Sequence, residues 1–175
     1  TSPLYARLKD RRAVFGSKLG WERPNWFAPE GMEARDIYSM GRQNWFGPVG
    51  EEHAHVRAHA GVFDQSSFAK YELSGPKAAE ALEAICANRV AREVGRLTYT
   101  QLLNSRGGIE ADLTVARLAE DQFYIVTGTG FRTHDYGWIA DHLPKTGVSF
   151  DDVTEGWGTL SLMGPRARDI LAAVT

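Results

Sequence analysis

The sequence predicts an α+β fold in which a mainly antiparallel sheet packs against helices. The first observation is a central hairpin pattern, in which two apolar-rich runs flank a turn at residues 104–108. The glycine pair Gly107-Gly108 allows the positive backbone dihedrals that a tight turn requires. The second observation is the predicted order strand, helix, three strands, helix, two strands, which lacks the strict alternation of a parallel α/β sheet. With 175 residues and 43% hydrophobic content, the chain can bury one sizeable core.

The N-terminal third of the sequence has the weakest secondary-structure patterns. Residues 1–27 mix cations, glycine, proline and aromatic residues, which predicts an irregular or extended segment whose aromatics pack either on their own domain or on another one. A strand is expected within residues 31–45 and a helix over residues 51–60. His55 and His59 have the spacing of metal ligands on that helix. Two histidines alone do not complete a ligand set, which favours an exposed helix face and no metal site.

The remaining elements surround the hairpin. Alternation predicts strands, and helical spacing of apolar residues predicts helices. The expected strands are 68–73, 123–127, 147–153 and 158–163, and the expected helices are 77–88 and 131–142. The single cysteine, Cys86, excludes an internal disulfide. Because it lies in an apolar helical run, we expect a small buried side chain rather than a reactive thiol.

A short internal repeat suggests duplication. The segment YELSGPKAAEAL at residues 71–82 recurs as LSLMGPRARDIL at residues 160–171. Both place a strand, a Gly-Pro pair and a helix in the same order; the alternative is chance similarity of a common helix start. Duplication predicts the first unit of a two-unit domain, truncated at its end. The expected division is a linker or interface segment over 1–48, the first α+β unit over 49–157 and the start of a second unit over 158–175.

The predicted strand after the hairpin turn carries an acidic residue. Apolar residues at 109, 111, 113 and 115 alternate with polar ones, which places Asp112 on the polar face of the strand. Aspartate is disfavoured inside strands. Its presence indicates either a solvated sheet face or a functional site.

Several motifs carry a family resemblance. The segment LLNSRGGIEADLTV at residues 102–115 resembles the folate-site hairpin of the glycine-cleavage T-protein (aminomethyltransferase) family, LN-x-x-GG-x-x-x-D-x-x-V. Three further segments resemble the C-terminal folate-binding region of dimethylglycine and sarcosine dehydrogenases. They are RRAVFGSKLGWERPNWF, HAGVFDQSSFAKYELSGP and FYIVTGTGFRTHD. The resemblance implies the first unit of a duplicated aminomethyltransferase folate-binding domain.

The resemblance also implies roles for individual residues. It makes Asp112 the catalytic residue, which binds the pterin-side nitrogen of tetrahydrofolate and takes part in proton transfer. Tyr99 is expected to flank the folate, although a core strand position is the alternative, and Thr127 is a third expected cofactor contact. The chain departs from the family at Thr127, where T-proteins usually carry asparagine, and at Ala111, where many members have a first acid. Glu110 could replace that acid only if the strand bulges.

The implied function is transfer of the one-carbon unit of an iminium intermediate, derived from an N-methyl amine, to tetrahydrofolate. The full-length protein is expected to be a flavin-dependent oxidoreductase. Its FAD belongs to a flavin domain in cis and not to this chain, because no Gly-x-Gly-x-x-Gly follows a leading strand. The family's later acidic, tyrosine and arginine ligands fall after residue 175. The chain alone is therefore expected to be inactive and to bind folate weakly or not at all, and an oligomer is possible.

The net charge and the hydrophobic pattern of the chain argue against several other classes of function. A net charge of -2 argues against a nucleic-acid partner or an anionic membrane surface, and no run of about 18 apolar residues predicts a membrane span. The N-terminus lacks the apolar region of a signal peptide, which favours the cytoplasm in a bacterium and the mitochondrial matrix in a eukaryote, with the cytoplasm preferred. Two alternatives stay open: a non-catalytic interaction or assembly domain, and a nucleotide-binding module built on Gly128-x-Gly130. The second lacks the third glycine of that motif.

Overall fold

The computed structural model describes all 175 residues and has the predicted α+β architecture, with antiparallel strand pairing. Two compact units are present, one formed by residues 1–67 with 158–175 and the other by residues 68–157. The helices are α1 (Tyr5–Asp10), α2 (Phe46–Ala58), α3 (Ala78–Ile85), α4 (Arg132–His142) and α5 (Ala167–Ala172). The strands are β1 (Ala13–Lys18), β2 (Trp21–Phe27), β3 (Gly61–Asp64), β4 (Ala69–Ser74), β5 (Leu97–Leu103), β6 (Ile109–Ala119), β7 (Gln122–Thr127), β8 (Ser149–Asp152) and β9 (Leu160–Met163). The division expected at residues 48 and 157 stays a prediction.

Within the first 27 residues, the prediction of an irregular or extended segment is correct in its extended part and misses a helix. These residues form α1 and an antiparallel hairpin of β1 with β2. The turn between these strands uses positive φ at Leu19 (52°) and Gly20 (86°). Trp26 is 1% exposed and packs with Val14 and Ala28 in a small core. This aromatic side chain therefore packs within its own unit, which was one of the two alternatives.

The strand predicted within residues 31–45 is wrong. Side chains in this segment capture the backbone groups that a strand would pair: Asn44 Oδ1 accepts the N–H of Ile37 at 2.9 Å, and Gln43 Oε1 accepts that of Ser39 at 2.7 Å. Such local bonds compete with secondary structure. The following helix, α2, begins at Phe46, before the predicted start.

A strand that the sequence did not predict, β3, pairs antiparallel with β9. Only four residues long, it has half-buried ends and exposed central residues, so it shows no alternation. Gly61 pairs with Met163 and Asp64 with Leu160, so the partner strand lies beyond the reach of local patterns. None of the helices has the length and apolar character that a membrane crossing requires.

Residues 68–157 form a five-stranded antiparallel sheet in the order β5-β6-β7-β4-β8. Helices α3 and α4 contribute side chains to the core on one face of this sheet, among them Leu82 and Ile139. The buried strand residues in this core are Ala69, Tyr71, Leu73, Leu102, Ala111, Leu113, Val115, Phe123 and Ile125. Burial of these side chains is the main favourable contribution to the stability of the unit.

The thiol of Cys86 is half-buried against this core, at the C-terminal end of α3. The helix stops there, before the predicted residue 88, because Cys86 adopts an extended conformation and bridges to Leu102. Burial, together with the nearby Glu83 carboxylate, raises the pKa of the thiol to about 12. The side chain is therefore neutral near pH 7, as expected of an unreactive thiol.

The predicted hairpin of β5 and β6 is present. In its turn, Asn104 Oδ1 accepts the N–H of Arg106 at 3.0 Å and of Gly108 at 2.9 Å, and Gly107 has φ 78°. The alternation places Asp112 on the exposed face of β6, opposite the buried residues of that strand. The hairpin thus presents the predicted acid to solvent.

The predicted repeat occurs twice as the same local structure. Gly75 follows β4 with φ 121°, and Gly164 follows β9 with φ 113°. Two residues after each glycine, the N–H of Lys77 donates to a carbonyl oxygen at 3.0 Å, and that of Arg166 does so at the same distance. Next, the first residue of α3 and the first residue of α5 each donate to the carbonyl of their own glycine. The two segments share hydrogen bonds as well as sequence.

Candidate functional site

The structure brings together two predicted site residues, Tyr99 and Asp112. In the register of β5 with β6, Tyr99 lies opposite Thr114 and Gln101 lies opposite Asp112, so the tyrosine and the aspartate are diagonal neighbours. The Tyr99 hydroxyl donates a hydrogen bond to Asp112 Oδ2 at 3.0 Å. Tyr99 is 57% exposed, which excludes the alternative of a core residue.

This pair offers a ligand both an acceptor and an apolar surface. Asp112 is exposed, and the tyrosine bond occupies one of its carboxylate oxygens. An ionised carboxylate has several lone-pair directions, so it can still accept an N–H from a bound ligand. The ring of Tyr99 supplies a flat, exposed face for an aromatic or heterocyclic group. The residues present therefore fit a ligand that combines a ring system with an amine, as tetrahydrofolate does.

Thr127 lies apart from the Asp112 carboxylate. It ends β7, is 3% exposed and pairs in register with Leu113, so it shares the buried side of the sheet rather than the face of Asp112. Its hydroxyl donates to Asp135 Oδ2 at 2.5 Å and lies 3.4 Å from the backbone carbonyl of Asp112. Thr127 thus contacts the Asp112 main chain. Its role as a cofactor contact stays a prediction.

Sequence reasoning missed Asp135, a buried acid beneath the hairpin. Asp135 is 1% exposed, and its second oxygen, Oδ1, lies 2.9 Å from His134 Nδ1. The other ring nitrogen of His134, Nε2, lies 3.7 Å from Glu110 Oε2. Asp135 lies in the first turn of α4, where acidic residues are common for helix-dipole reasons. Nothing in the sequence therefore distinguished it.

Glu110 occupies a β-bulge, and only such a bulge would allow it to replace the acid that is missing at Ala111. Leu102 pairs with Ala111 and Leu103 pairs with Ile109, so Glu110 has no partner across the ladder. Its carboxylate nevertheless does not join Asp112: Oε1 accepts a hydrogen bond from Asn104 Nδ2 at 2.8 Å, and Oε2 faces His134. Glu110 thus binds the hairpin turn through Asn104 and lies near His134 of α4, and it does not supply a second acid beside Asp112.

An open cleft of about 810 Å³ adjoins this pair. The loop between α3 and β5 forms one side of it, and the first residues of β5, including Tyr99, form the other. Its lining residues are Asn88, Arg89, Ala91, Arg92, Glu93, Leu97, Thr98 and Tyr99. The cleft therefore extends from the candidate site along an arginine-bearing loop.

Comparison with known proteins gives matches along almost the whole chain. The family model described as the GCVT N-terminal domain matches residues 4–175. The chain is 36% identical over 174 residues to a 4-methylaminobutanoate oxidase (formaldehyde-forming) of Paenarthrobacter nicotinovorans, covering 99% of this chain and 21% of that protein. It is 35% identical over 176 residues to the mitochondrial dimethylglycine dehydrogenase of Rattus norvegicus, and this match covers 99% of this chain and 20% of that protein. The chain thus spans about one fifth of the length of these relatives.

A solved structure has the same fold. The glycine cleavage system aminomethyltransferase T from Bartonella henselae superposes with a TM-score of 0.81 at 31% sequence identity. The match covers 98% of this chain and 42% of that one. Both units described above therefore lie within the matched fold.

Proposed function

Because the chain belongs to the aminomethyltransferase family of the glycine-cleavage T-protein, as its resemblance predicted, we propose that it is the tetrahydrofolate-binding module of a dimethylglycine or sarcosine dehydrogenase-like protein. The observation that carries the proposal is the hydrogen bond of 3.0 Å between Tyr99 and Asp112 on an exposed sheet face. Two of the three residues expected to contact folate, 13 positions apart on the paired strands β5 and β6, share one surface. The full-length protein is proposed to be a flavin-dependent oxidoreductase.

In the proposed reaction, Asp112 is the catalytic residue. A bound tetrahydrofolate would supply the amine nitrogen that accepts the carbon of an iminium derived from an N-methyl amine. The accepting nitrogen would become cationic as its bond to carbon forms, and the Asp112 carboxylate would stabilise that charge and accept the proton. The same proton would then pass to the original amine, which leaves as its own bond to the carbon breaks. Tyr99 holds the carboxylate through its hydroxyl and orients it on the sheet face. Holding the reacting groups in place supplies most of the rate gain.

The oxidation that precedes this step is assigned to another domain. We place FAD in a flavin domain in cis, from which the iminium reaches Asp112. An iminium that meets water instead of an amine hydrolyses to formaldehyde, and the name of the Paenarthrobacter relative records formaldehyde as a product. The presence of a folate at Asp112 would therefore decide between one-carbon transfer and release of formaldehyde.

The test is a titration of folinic acid, a stable reduced folate, into this chain, followed by amide chemical shifts because weak binding is expected. The variant Asp112→Ala removes the carboxylate. Hydrogen bonds to charged groups contribute roughly 1.5–3 kcal/mol, so we expect the dissociation constant to rise about ten-fold or more. The signals that shift in the parent are expected to be those of residues around Tyr99 and Asp112.

The matched control is Asp141→Ala, which removes an exposed carboxylate from α4 in the same unit. It is expected to bind folinic acid as the parent does. Equal affinity in Asp112→Ala and the parent would reject Asp112 as the ligand residue. Absence of binding to the parent at millimolar ligand would reject a folate site formed by this chain alone and would require the family's ligands that fall after residue 175.

A further inference from the structure

A network of polar contacts runs from the buried side of the sheet to the β5–β6 hairpin. Thr127 donates to Asp135 Oδ2 at 2.5 Å, and Asp135 Oδ1 lies 2.9 Å from His134 Nδ1. The other ring nitrogen of His134, Nε2, lies 3.7 Å from Glu110 Oε2. His134 therefore lies between two carboxylates, one on its own helix α4 and one on β6.

The ring of His134 is the member of this network that solvent reaches most easily. Its side chain is 51% exposed, against 28% for Glu110 and 1% for Asp135. The charged groups that face the ring are these two carboxylates, and the adjacent strand β7 contributes Thr127, which does not titrate. Each carboxylate has a further hydrogen bond, Asp135 from Thr127 and Glu110 from Asn104. A change of pH can therefore alter the charge of the ring while its two partners stay in place.

The same network reaches the main chain around Asp112. Glu110 lies in the bulge of β6 and has no partner across the ladder, so side-chain contacts hold this end of the strand. Its Oε1 accepts a hydrogen bond from Asn104 Nδ2 at 2.8 Å in the hairpin turn. The Thr127 hydroxyl lies 3.4 Å from the carbonyl oxygen of Asp112. A movement of Glu110 is therefore expected to move Asp112, two residues further along the strand.

The protonation state of His134 decides how tightly its ring binds Glu110. An ionised carboxylate only accepts hydrogen bonds, so Nδ1 carries the proton that is donated to Asp135. In the neutral ring, Nε2 then directs a lone pair at Glu110 Oε2, and two acceptors face each other. In the protonated ring, Nε2–H donates to Glu110 and the two opposite charges attract. The link between α4 and the hairpin is therefore complete at mildly acidic pH and weakens as the ring loses its second proton.

We propose that His134 is a positioning residue for Asp112, which fastens the hairpin to α4 and does so most tightly when its ring is protonated. The inference rests on the proposed function, because Asp112 is the residue proposed to bind the amine nitrogen of folate. His134 acts through Glu110 and not by contact with the ligand. A more firmly held Asp112 loses less conformational freedom on binding. Folinic acid is therefore expected to bind about two- to five-fold more tightly at pH 5.5 than at pH 8, since partly exposed ion pairs are weak.

The first measurement follows the ring signals of His134 and the amide signals of residues 104–112 in the whole chain between pH 5 and 8.5. In the parent, the hairpin amides are expected to titrate with the midpoint of the His134 ring. His134→Gln removes the titrating ring, and Glu110→Gln keeps an oxygen for Asn104 and removes the charge. Both variants should abolish the shared transition. The control, His53→Gln, removes an exposed histidine from α2 in the other unit and should retain it.

The second measurement is a titration of folinic acid at pH 5.5 and at pH 8. The parent and His53→Gln are expected to bind more tightly at the lower pH. His134→Gln and Glu110→Gln should bind at both pH values as the parent binds at pH 8. A purely structural role for His134 would instead lower the affinity of His134→Gln by the same factor at both pH values, and that result would overturn the inference.

Two other results would overturn the inference and leave the proposed function intact. One is a set of hairpin amides that do not follow the ring of His134, and the other is a pH preference that survives in His134→Gln. A shared titration without folinic acid binding at either pH would keep the link between His134 and the hairpin and would reject a folate site formed by this chain alone. Failure of both measurements would overturn both proposals.

Discussion

At the scale of single residues, the hydroxyl of Thr127 serves a buried carboxylate. We predict that Thr127→Val, which keeps the shape of the side chain and removes the hydroxyl, lowers the free energy of unfolding by about 1.5–3 kcal/mol. The reason is that Asp135, only 1% exposed, loses the hydrogen bond that its Oδ2 accepts at 2.5 Å. Urea unfolding of the parent and the variant measures the difference.

Two further variants separate the loss of the hydrogen bond to Asp135 from the effect of replacing any threonine of the sheet by valine. Thr114→Val makes the same change on the half-buried open face of the sheet and is expected to alter stability by no more than about 0.5 kcal/mol. Thr127→Ser keeps the hydroxyl and should recover most of the loss. If Thr127→Val proves as stable as Thr114→Val, the bond to Asp135 contributes nothing measurable and Thr127 is free to serve a ligand.

Asp112 on the exposed sheet face could be predicted from the sequence, whereas the buried contact between Thr127 and Asp135 could not. Strand alternation and the family resemblance were enough to place Asp112 on the exposed face, because a hairpin fixes its register locally. The link from Thr127 to Asp135 depends on how α4 packs on the sheet, which no local pattern encodes. Glu110 shows the same limit: its bulge was foreseen only as a condition, and its contacts with Asn104 and His134 were not foreseen.

At the scale of elements, the repeated strand–turn–helix depends on its glycines. An ideal Cβ on Gly75 would lie 2.6 Å from the carbonyl oxygen of Gly147 and 3.1 Å from Val148 Cα, both backbone atoms. With φ at 121°, a side chain is strained whatever the space. We predict that Gly75→Ala lowers the free energy of unfolding by at least about 2 kcal/mol, measured by urea unfolding.

The matched control for this change is Gly137→Ala, in the middle of α4. A Cβ there meets nothing within 4 Å. Because alanine is favoured over glycine in a helix interior, the control should stabilise the chain by roughly 0.5–1 kcal/mol. If Gly137→Ala lowers the free energy of unfolding as much as Gly75→Ala does, any added methyl group is destabilising. The effect at Gly75 would then not come from its positive φ or its close backbone contacts.

The sequence correctly predicted those elements that are determined by a few neighbouring residues. The β5–β6 hairpin is determined by its glycine turn, and the repeat by its Gly-Pro pair, so both were visible in a few residues. The pairing of β3 with β9 joins distant parts of the chain, and β3 was missed. The segment over 31–45 was taken for a strand because its apolar residues suggested one, whereas its polar side chains bind the backbone first.

At the scale of the whole molecule, the two units differ in how the chain builds them. Residues 68–157 are continuous and contain every member of the larger hydrophobic core. The other unit joins residues 1–67 to residues 158–175, and its β3 has β9 as its partner. The continuous unit also holds Tyr99, Asp112 and the open cleft that adjoins them, so the proposed site does not depend on the discontinuous one for these residues.

This difference predicts how fragments behave. A chain limited to residues 68–157 is expected to fold alone and to give well-dispersed amide signals, because its sheet, its helices and its core are complete. The companion fragment, residues 1–157, should keep those signals and lose the protected amides of β3, since its partner strand is absent. A collapsed spectrum from residues 68–157 would contradict the first expectation, and retained protection of β3 in residues 1–157 would contradict the second. If the short fragment folds, folinic acid titrated into it tests directly whether the Tyr99–Asp112 surface needs anything outside that unit.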